Sequence, residues 1–274
     1  MGKISDAFER QRKETVLKLD RDFEEQFVGQ SQDKSKTEAA LVLQGHDRVN
    51  GKLVVVSARD SADAENFRFL RSHIFSGKNG DRPKTIMVTS AFPGEGKTFV
   101  ASNLAASIAI GSNEQVLMVD CDLRRPNLHR IFGCHSGEGL CAYLDRRARL
   151  QDLITPTKVK GLSVLSAGNV PAYPGESISS SEMEGFMREI KSVSKNWVIV
   201  IDSCPTHITA GTRIISQYVD GIVFVVMAQK WPRKEIEKSM DSLGRDKILG
   251  VVFNGYAPAR REYNKYYNHY YRQI

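Results

Sequence analysis

Thr85-Ile-Met-Val-Thr89, then Ala91-Phe-Pro-Gly-Glu-Gly-Lys-Thr98, then Val100, Leu104 and Ile108 with Ala101 and Ala105 on the same face: in that order these residues spell an apolar strand, a glycine loop and a helix. Gly94 and Gly96 let the backbone turn with its N–H groups pointing inward. Lys97 supplies a cation, and Thr98 a hydroxyl at the helix N-terminus. Together they read as a phosphate cradle with a magnesium ligand, and the residues that would hold a nucleotide are Pro93, Gly94, Glu95, Gly96, Lys97, Thr98 and Phe99. Ala91 stands where the common pattern has its first glycine, so the match is A-x4-G-K-T. The bland alternative is a glycine turn that happens to precede a helix. Strand, loop, Lys-Thr and helix all being in register favours the nucleotide site.

Around that stretch, 274 residues and 30.7 kDa with 41% hydrophobic residues suffice for one large α/β core with additional segments at its ends. The apolar runs Trp197 to Ile201 and Gly221 to Ala228 are far short of the roughly 20 residues that span a bilayer. The start, MGKISDAFERQRKE, lacks the apolar core of a signal peptide, so a cytoplasmic location is expected. Cys121, Cys134, Cys141 and Cys204 have no C-x2-C spacing and read as reduced, packed thiols. The six histidines show no zinc-ligand pattern. A net charge of +7 and a pI near 9.2 suit nucleic acid or an anionic membrane face, but neither follows from charge alone.

The expected organisation is an appendage and linker over 1–50, a nucleotide-binding domain over 51–255 and a tail over 256–274. In the appendage Ser5 can cap a helix whose Val16, Leu19, Phe23 and Phe27 form one stripe. Its other face mixes both charge signs, which suits docking against protein better than lying on a membrane. Residues 29–36, GQSQDKSK, read as a polar linker. Leu53 to Val56 reads as a short extended lead-in. Glu65, Arg68 and Arg71 lie three apart on a predicted helix and share a face, ordinarily a solvated one. Gly111 fits the C-cap of the helix that follows the loop.

Gln115 to Val119 reads as a second strand, ending in Asp120-Cys-Asp122. Two carboxylates at i and i+2 at the carboxyl end of a strand, where ligands of open α/β sheets bind, project toward whatever the loop holds. One can orient or deprotonate an acceptor and the other can reach magnesium through water. The competing reading is a strand-end turn with a helix cap, which the desolvation cost of an uncompensated Asp argues against. Trp197 to Ile201 closes in Asp202, downstream of the loop and so placed to hold magnesium. Further strands at 162–165, 221–226 and 248–253 alternate with helical patterns around Met183 to Ile190, Ile214 to Val219 and Ile236 to Leu243. Such alternation predicts an α/β fold with a doubly wound, mostly parallel sheet. Asn254, ending the last strand, is either a contact for a nucleotide base or a turn residue.

The chain finishes with Tyr256, Tyr263, Tyr266, Tyr267, Tyr270 and Tyr271, six of its nine tyrosines, set among Arg260, Arg261, Asn264, Lys265, Asn268 and Arg272. Too few aliphatic residues accompany them to build a core, so a mobile basic tail is expected. Interleaved basic and aromatic residues can stack on single-stranded nucleic acid. Near a nucleotide site they can equally be phosphoryl acceptors.

These motifs and the tail resemble the bacterial tyrosine autokinases of exopolysaccharide biosynthesis, P-loop enzymes of the MinD/ParA-like (SIMIBI) group, from about Val54 to the C-terminus. Ala91 to Thr98 matches Walker A, Leu117 to Arg124 (LMVDCDLR) matches Walker A', and Val198 to Asp202 matches Walker B. The start MGKISDAFER is similar to that of the stand-alone members. The resemblance implies ATP and Mg2+ as cofactors, with Lys97, Asp120 and Asp122 catalytic, Asp120 being the base that activates a tyrosine hydroxyl. It implies Thr98, Asp122 and Asp202 at the metal, and autophosphorylation in trans at Tyr263, Tyr266, Tyr267, Tyr270 and Tyr271. Glu65, Arg68 and Arg71 match the helix that assembles the family's homo-oligomeric ring, with His73 replacing its final Asn. A membrane-embedded polysaccharide co-polymerase (chain-length determinant) as activator, a cognate tyrosine phosphatase, recruitment to the inner membrane and no nucleic-acid partner are implied as well. Two departures stand out: Asp202-Ser-Cys204-Pro205 where the family has D-T/S-P-P, and Gly211-Thr212 where it has a later Asp-Ala.

A nucleotide-switch ATPase of the same superfamily is the alternative. That relative usually carries a second Lys five residues before the loop Lys, where this chain has Phe92. Phe92 and the tyrosine tail favour the kinase. A scaffold that binds ATP and transfers nothing is a third reading, for which the residues offer no support.

Overall fold

Strand β1 (Thr85–Ser90) is buried along its whole length and runs parallel between β5 (Trp197–Ser203) and β6 (Gly221–Met227). The computed structural model describes residues 51–76, 82–112, 114–134, 137–172, 181–193, 197–228 and 230–255. The expected helix and linker within 1–50, and the tail over 256–274, lie outside them. With β2 (Gln115–Cys121), β3 (Thr155–Pro156), β4 (Leu162–Leu165) and β7 (Ile248–Asn254), the sheet has seven strands in the order β3-β4-β2-β5-β1-β6-β7. Every pairing is parallel except β3 with β4. Strands covered on both faces need apolar residues at successive positions, which is why the sequence runs TIMV, VLMV, WVIVI and GIVFVV identify them.

Alternation divides each strand between two cores. Ile86 and Val88 face one layer with Leu104, Ile108, Phe67 and Ile74. That layer is made by α1 (Val54–Ser57), α2 (Ala62–Phe75), α3 (Lys97–Gly111) and α4 (Leu128–Phe132). Met87 faces the opposite layer with Leu140, Leu150, Phe186, Met187 and Ile215. That side comprises α5 (Leu140–Leu144), α6 (Leu150–Leu153), α7 (Ser181–Val193), α8 (Gly211–Tyr218) and α9 (Arg233–Leu243). The fold is the doubly wound α/β sheet expected. Among the described residues no helix is long and apolar enough to cross a membrane.

Two local expectations differ from the structure. Residues 54–57 form a helical turn rather than an extended lead-in. Asn103 on α3 accepts from Val55 N (3.2 Å) and donates to Lys52 O (2.8 Å), so a tertiary clamp overrides the extended preference of three valines. Gly111 is the last helical residue and Ser112 the cap. A Cβ at 111 would lie 1.5 Å from Arg71 Nη1, so a side chain there has to push the guanidinium off Ser107 O. The short α4, α5, α6 and the two-residue β3 left no periodicity long enough to read.

The entrance to β1 is pinned by Asp220. Its Oδ2 accepts from Lys84 N and Thr85 N, both at 3.0 Å, and its Oδ1 meets Lys191 Nζ at 2.6 Å. The Lys191 ammonium and the Thr85 donors outweigh partial burial and hold the Asp220 carboxyl below its usual range.

Candidate nucleotide site

The loop between β1 and α3 passes through left-handed backbone at Gly94 (φ 78°) and Gly96 (φ 87°). At Gly96 a side chain is also excluded sterically, since a Cβ would come 1.9 Å from Asn254 Nδ2. Asn254 donates Nδ2–H to Glu95 O at 2.9 Å, so the end of β7 bolts onto the loop backbone. Asn254 thus clamps the loop from the end of β7.

Glu95 is fully buried inside its own loop. Its Oε2 accepts from Phe92 N at 2.7 Å and its Oε1 from Met227 N at 3.2 Å. The side chain therefore braces the loop against β6 rather than facing a ligand. Phe99, also among the expected nucleotide residues, turns into the helix layer and packs edge-on against Phe67 (centroids 5.7 Å). Pro93 and Gly94 are exposed at the rim, and Thr98 is half-buried at the first turn of α3.

Lys97 Nζ meets Asp122 Oδ2 at 2.6 Å, with the two side chains 12% and 4% exposed. Burial disfavours the ammonium, but Asp202 and Asp122 together hold its pKa above the usual lysine value. Burial likewise works against the Asp122 carboxylate, and Lys97 more than reverses it. Asp122 Oδ1 accepts from Arg125 N (3.2 Å) and from the Cys204 thiol (3.2 Å). Burial and then Asp122 push that thiol up, so it stays a donor. The Cys204 carbonyl accepts from Thr89 Oγ1 and from Thr212 Oγ1, both at 2.9 Å. Cys204 and Thr212, seen in the sequence only as departures from a pattern, thus tie β1, β5 and α8 to the Asp122 carboxylate.

Asp120 and Asp202 are register partners on β2 and β5. Asp120 is wholly buried. Its Oδ2 accepts from Asn127 N (3.0 Å) and Leu128 N (3.1 Å), and its Oδ1 from Asp122 N (3.3 Å). Burial and the Asp202 charge raise its pKa well above the usual carboxylate value despite those bonds. The turn-and-cap arrangement set aside at the sequence level is the one these bonds make. Asp202 differs: Thr98 hydrogen-bonds to it, but its buried Oδ1 has no partner. Burial first, opposed by Lys97 and Thr98, pushes its pKa up to about 7. A buried carboxylate oxygen left without a donor, beside a P-loop threonine hydroxyl, is the donor set a magnesium ion and nucleotide phosphates would complete, so the residues fit that pair.

A family model described as ParA, an NUBPL iron-transfer P-loop NTPase, matches residues 82–269. Tyrosine-protein kinase YwqD of Bacillus subtilis is 28% identical over 80% of this chain and 92% of its own length. The putative tyrosine-protein kinase CapB of Staphylococcus aureus is 30% identical over 71% of this chain and 85% of its own. The chain belongs to the bacterial tyrosine-protein kinases. The solved kinase domain of Escherichia coli tyrosine kinase ETK superposes with a TM-score of 0.67 at 28% identity, over 79% of this kinase and 86% of that chain. The chimerical protein CapA2B2 gives 0.69 at 30%, over 76% and 91%. Pyrococcus horikoshii MinD with Mg-ADP shares the fold, with a TM-score of 0.55 at 22% identity over 65% and 72%. By contrast, the kinase spans 27% of the Acinetobacter johnsonii kinase ptk, 31% identical over 76% of this chain.

The helix matched to ring assembly uses its charges within this chain. Glu65 pairs with Arg68, and Arg71 Nη1 donates to Ser107 O on α3 at 2.6 Å. Phe69, missed in the sequence, is 66% exposed on the same helix. Sequence reasoning also missed a ring pile beside the loop, Phe92 between His207 and Trp231. Its members are 115 and 24 positions away from one another in sequence, and no local pattern joins them.

Proposed function

We propose that this kinase transfers the γ-phosphoryl group of ATP to tyrosines of its own C-terminal cluster, in trans between protomers of a ring. The observation that carries the reading is the buried Lys97–Asp122 pair beside the orphaned Asp202 Oδ1 at the mouth of the glycine loop. When phosphate oxygens enter, Lys97 exchanges Asp122 for them, and the freed carboxylate is available on the acceptor side. Magnesium, bound by Thr98 and Asp202 and reached by Asp122 directly or through water, would neutralise phosphate charge there. A tyrosine hydroxyl, with a reference pKa of about 10, needs an oriented base. Asp120 is the base by family resemblance. To serve it must release the backbone N–H groups of Asn127 and Leu128.

Acceptors are Tyr263, Tyr266, Tyr267, Tyr270 and Tyr271, and Glu65, Arg68 and Arg71 belong to the ring contact. Arg260, Arg261, Lys265 and Arg272 against Glu262 make the tail basic. Each phosphate adds roughly −1.5 to −2 charges, so a few invert its sign and release it. A membrane-embedded polysaccharide co-polymerase is the activator, a tyrosine phosphatase resets the tail, and the cycle regulates exopolysaccharide polymerisation and export at the inner membrane. A relative named as a putative tyrosine-protein kinase in the cps region of Klebsiella pneumoniae supports that setting.

Intact mass and peptide mapping after incubation of dephosphorylated protein with Mg-ATP tests the reading. Stepwise gains of one phosphate within 256–274, absent in Lys97→Met, are expected. Steady ADP release with no mass gain would favour the nucleotide-switch ATPase instead.

A further inference from the structure

The segment after β5 is strapped to the glycine loop, Thr206 N donating to Ser90 O (2.9 Å) and His207 N to Ala91 O (3.3 Å). That places the His207 ring flat on Phe92, with centroids 4.5 Å apart and planes within 6°. On the other face of Phe92 lies Trp231, at 4.0 Å and 21°. Trp231 is 36% exposed and belongs to the connection between β6 and α9. Next to it, Lys230 Nζ stands 5.6 Å from the indole centroid and 3.4 Å from where a Cβ on Gly94 would be. Three rings thus form a column rising from the loop itself, and a lysine ammonium leans from its top over the loop rim.

We propose that Lys230 is a second catalytic cation of this kinase, contacting the terminal phosphate of bound ATP, with Trp231 and Phe92 as positioning residues. The inference rests on the kinase reading above. In phosphoryl transfer the phenol oxygen bonds to the γ phosphorus and the bond from that phosphorus to the β–γ bridging oxygen breaks. The electron pair leaves with ADP, and the phenol proton passes to a carboxylate. Lys230 makes and breaks no bond. It meets negative charge spread over the γ oxygens, which is where a further cation accelerates such reactions most. Lys97 is paired with Asp122 at 2.6 Å, so a cation at the loop rim adds to the charge that Lys97 and magnesium bring to the γ end. Phe92 occupies the position at which nucleotide-switch relatives carry a lysine that crosses a dimer. Here that position holds the base of the column, and the cation comes from the same chain. An exposed ammonium over an indole keeps most of its hydration and still gains a preferred direction.

The test uses the full-length protein and calorimetric titration with Mg-AMP-PNP and Mg-ADP, alongside tail phosphorylation rates. Lys230→Ala is expected to weaken AMP-PNP about tenfold, leave ADP within about twofold and lower kcat more than KM changes. Lys230→Arg should restore most of the loss, and Trp231→Ala should reproduce part of it. Unchanged melting without nucleotide confirms an intact fold. Equal weakening of both nucleotides, or of neither, would overturn the assignment. If wild-type protein transfers nothing to tyrosine, the kinase reading fails, while the AMP-PNP against ADP comparison still decides Lys230.

Discussion

Asp120 and Asp202 stand side by side on β2 and β5, both buried, yet three backbone N–H groups fill the oxygens of the first while one oxygen of the second has no partner. Neighbouring carboxylates of the same type thus sit in opposite surroundings. The first is bound into a turn, and the second keeps a bare oxygen at an energetic cost.

That cost has a sign that can be measured. Asp202→Asn replaces a buried oxygen lacking a donor with a neutral amide, so the nucleotide-free protein is expected to melt about 2–4 °C higher at pH 8. The stabilisation brought by Mg-ADP should vanish in the same variant. A lower melting temperature with the Mg-ADP shift retained would contradict the role.

Asp120→Ala removes the acceptor of three buried N–H groups and is expected to cost about 3–5 kcal/mol in urea unfolding. Asp120→Asn keeps one acceptor and should remain folded, with tyrosine transfer reduced at least about a hundredfold if Asp120 is the base. A folded Asp120→Asn with undiminished transfer would leave it the turn alone.

Glu95→Ala should cost about 2–4 kcal/mol, because Phe92 N and Met227 N lose a charged acceptor. Hydrogen exchange at those two amides is the direct readout. Protection equal to wild type would show that the loop does not need its internal acid.

Asp220 predicts a pH dependence. Its pKa is lowered in the folded protein, so its contribution is complete above the unfolded value of 3.8 and is lost as pH falls through the lower folded value. Asp220→Asn should therefore cost about 1 kcal/mol at pH 7, since water screens the exposed Lys191 pair, and progressively less below pH ~4. A cost that is constant from pH 7 to 3 would exclude ionisation as its origin.

The sheet was legible because buried parallel strands need uninterrupted apolar runs, and the loop because glycine, lysine and threonine at fixed spacing have few other uses together. What escaped depends on partners distant in the chain. Val54 to Val56 coil because Asn103 clamps them, and Gly111 leaves the room that the Arg71 guanidinium takes. Glu95 reads as a loop residue facing the ligand until Met227, 132 positions on, is seen to donate to it. Asp120 reads as chemistry by its place at a strand end, while its hydrogen bonds come from a turn that spacing alone does not fold.

A nucleotide loop is commonly treated as a portable cassette that could be spliced between any strand and helix. This one is not self-contained. Its acid is satisfied by β6, its backbone carbonyl by the last residue of β7, and its aromatic residue by side chains after β5 and β6. Transplanting residues 91–98 alone would carry a buried glutamate stripped of its Met227 donor into the new host, so the smallest transferable unit comprises four strand ends rather than eight residues.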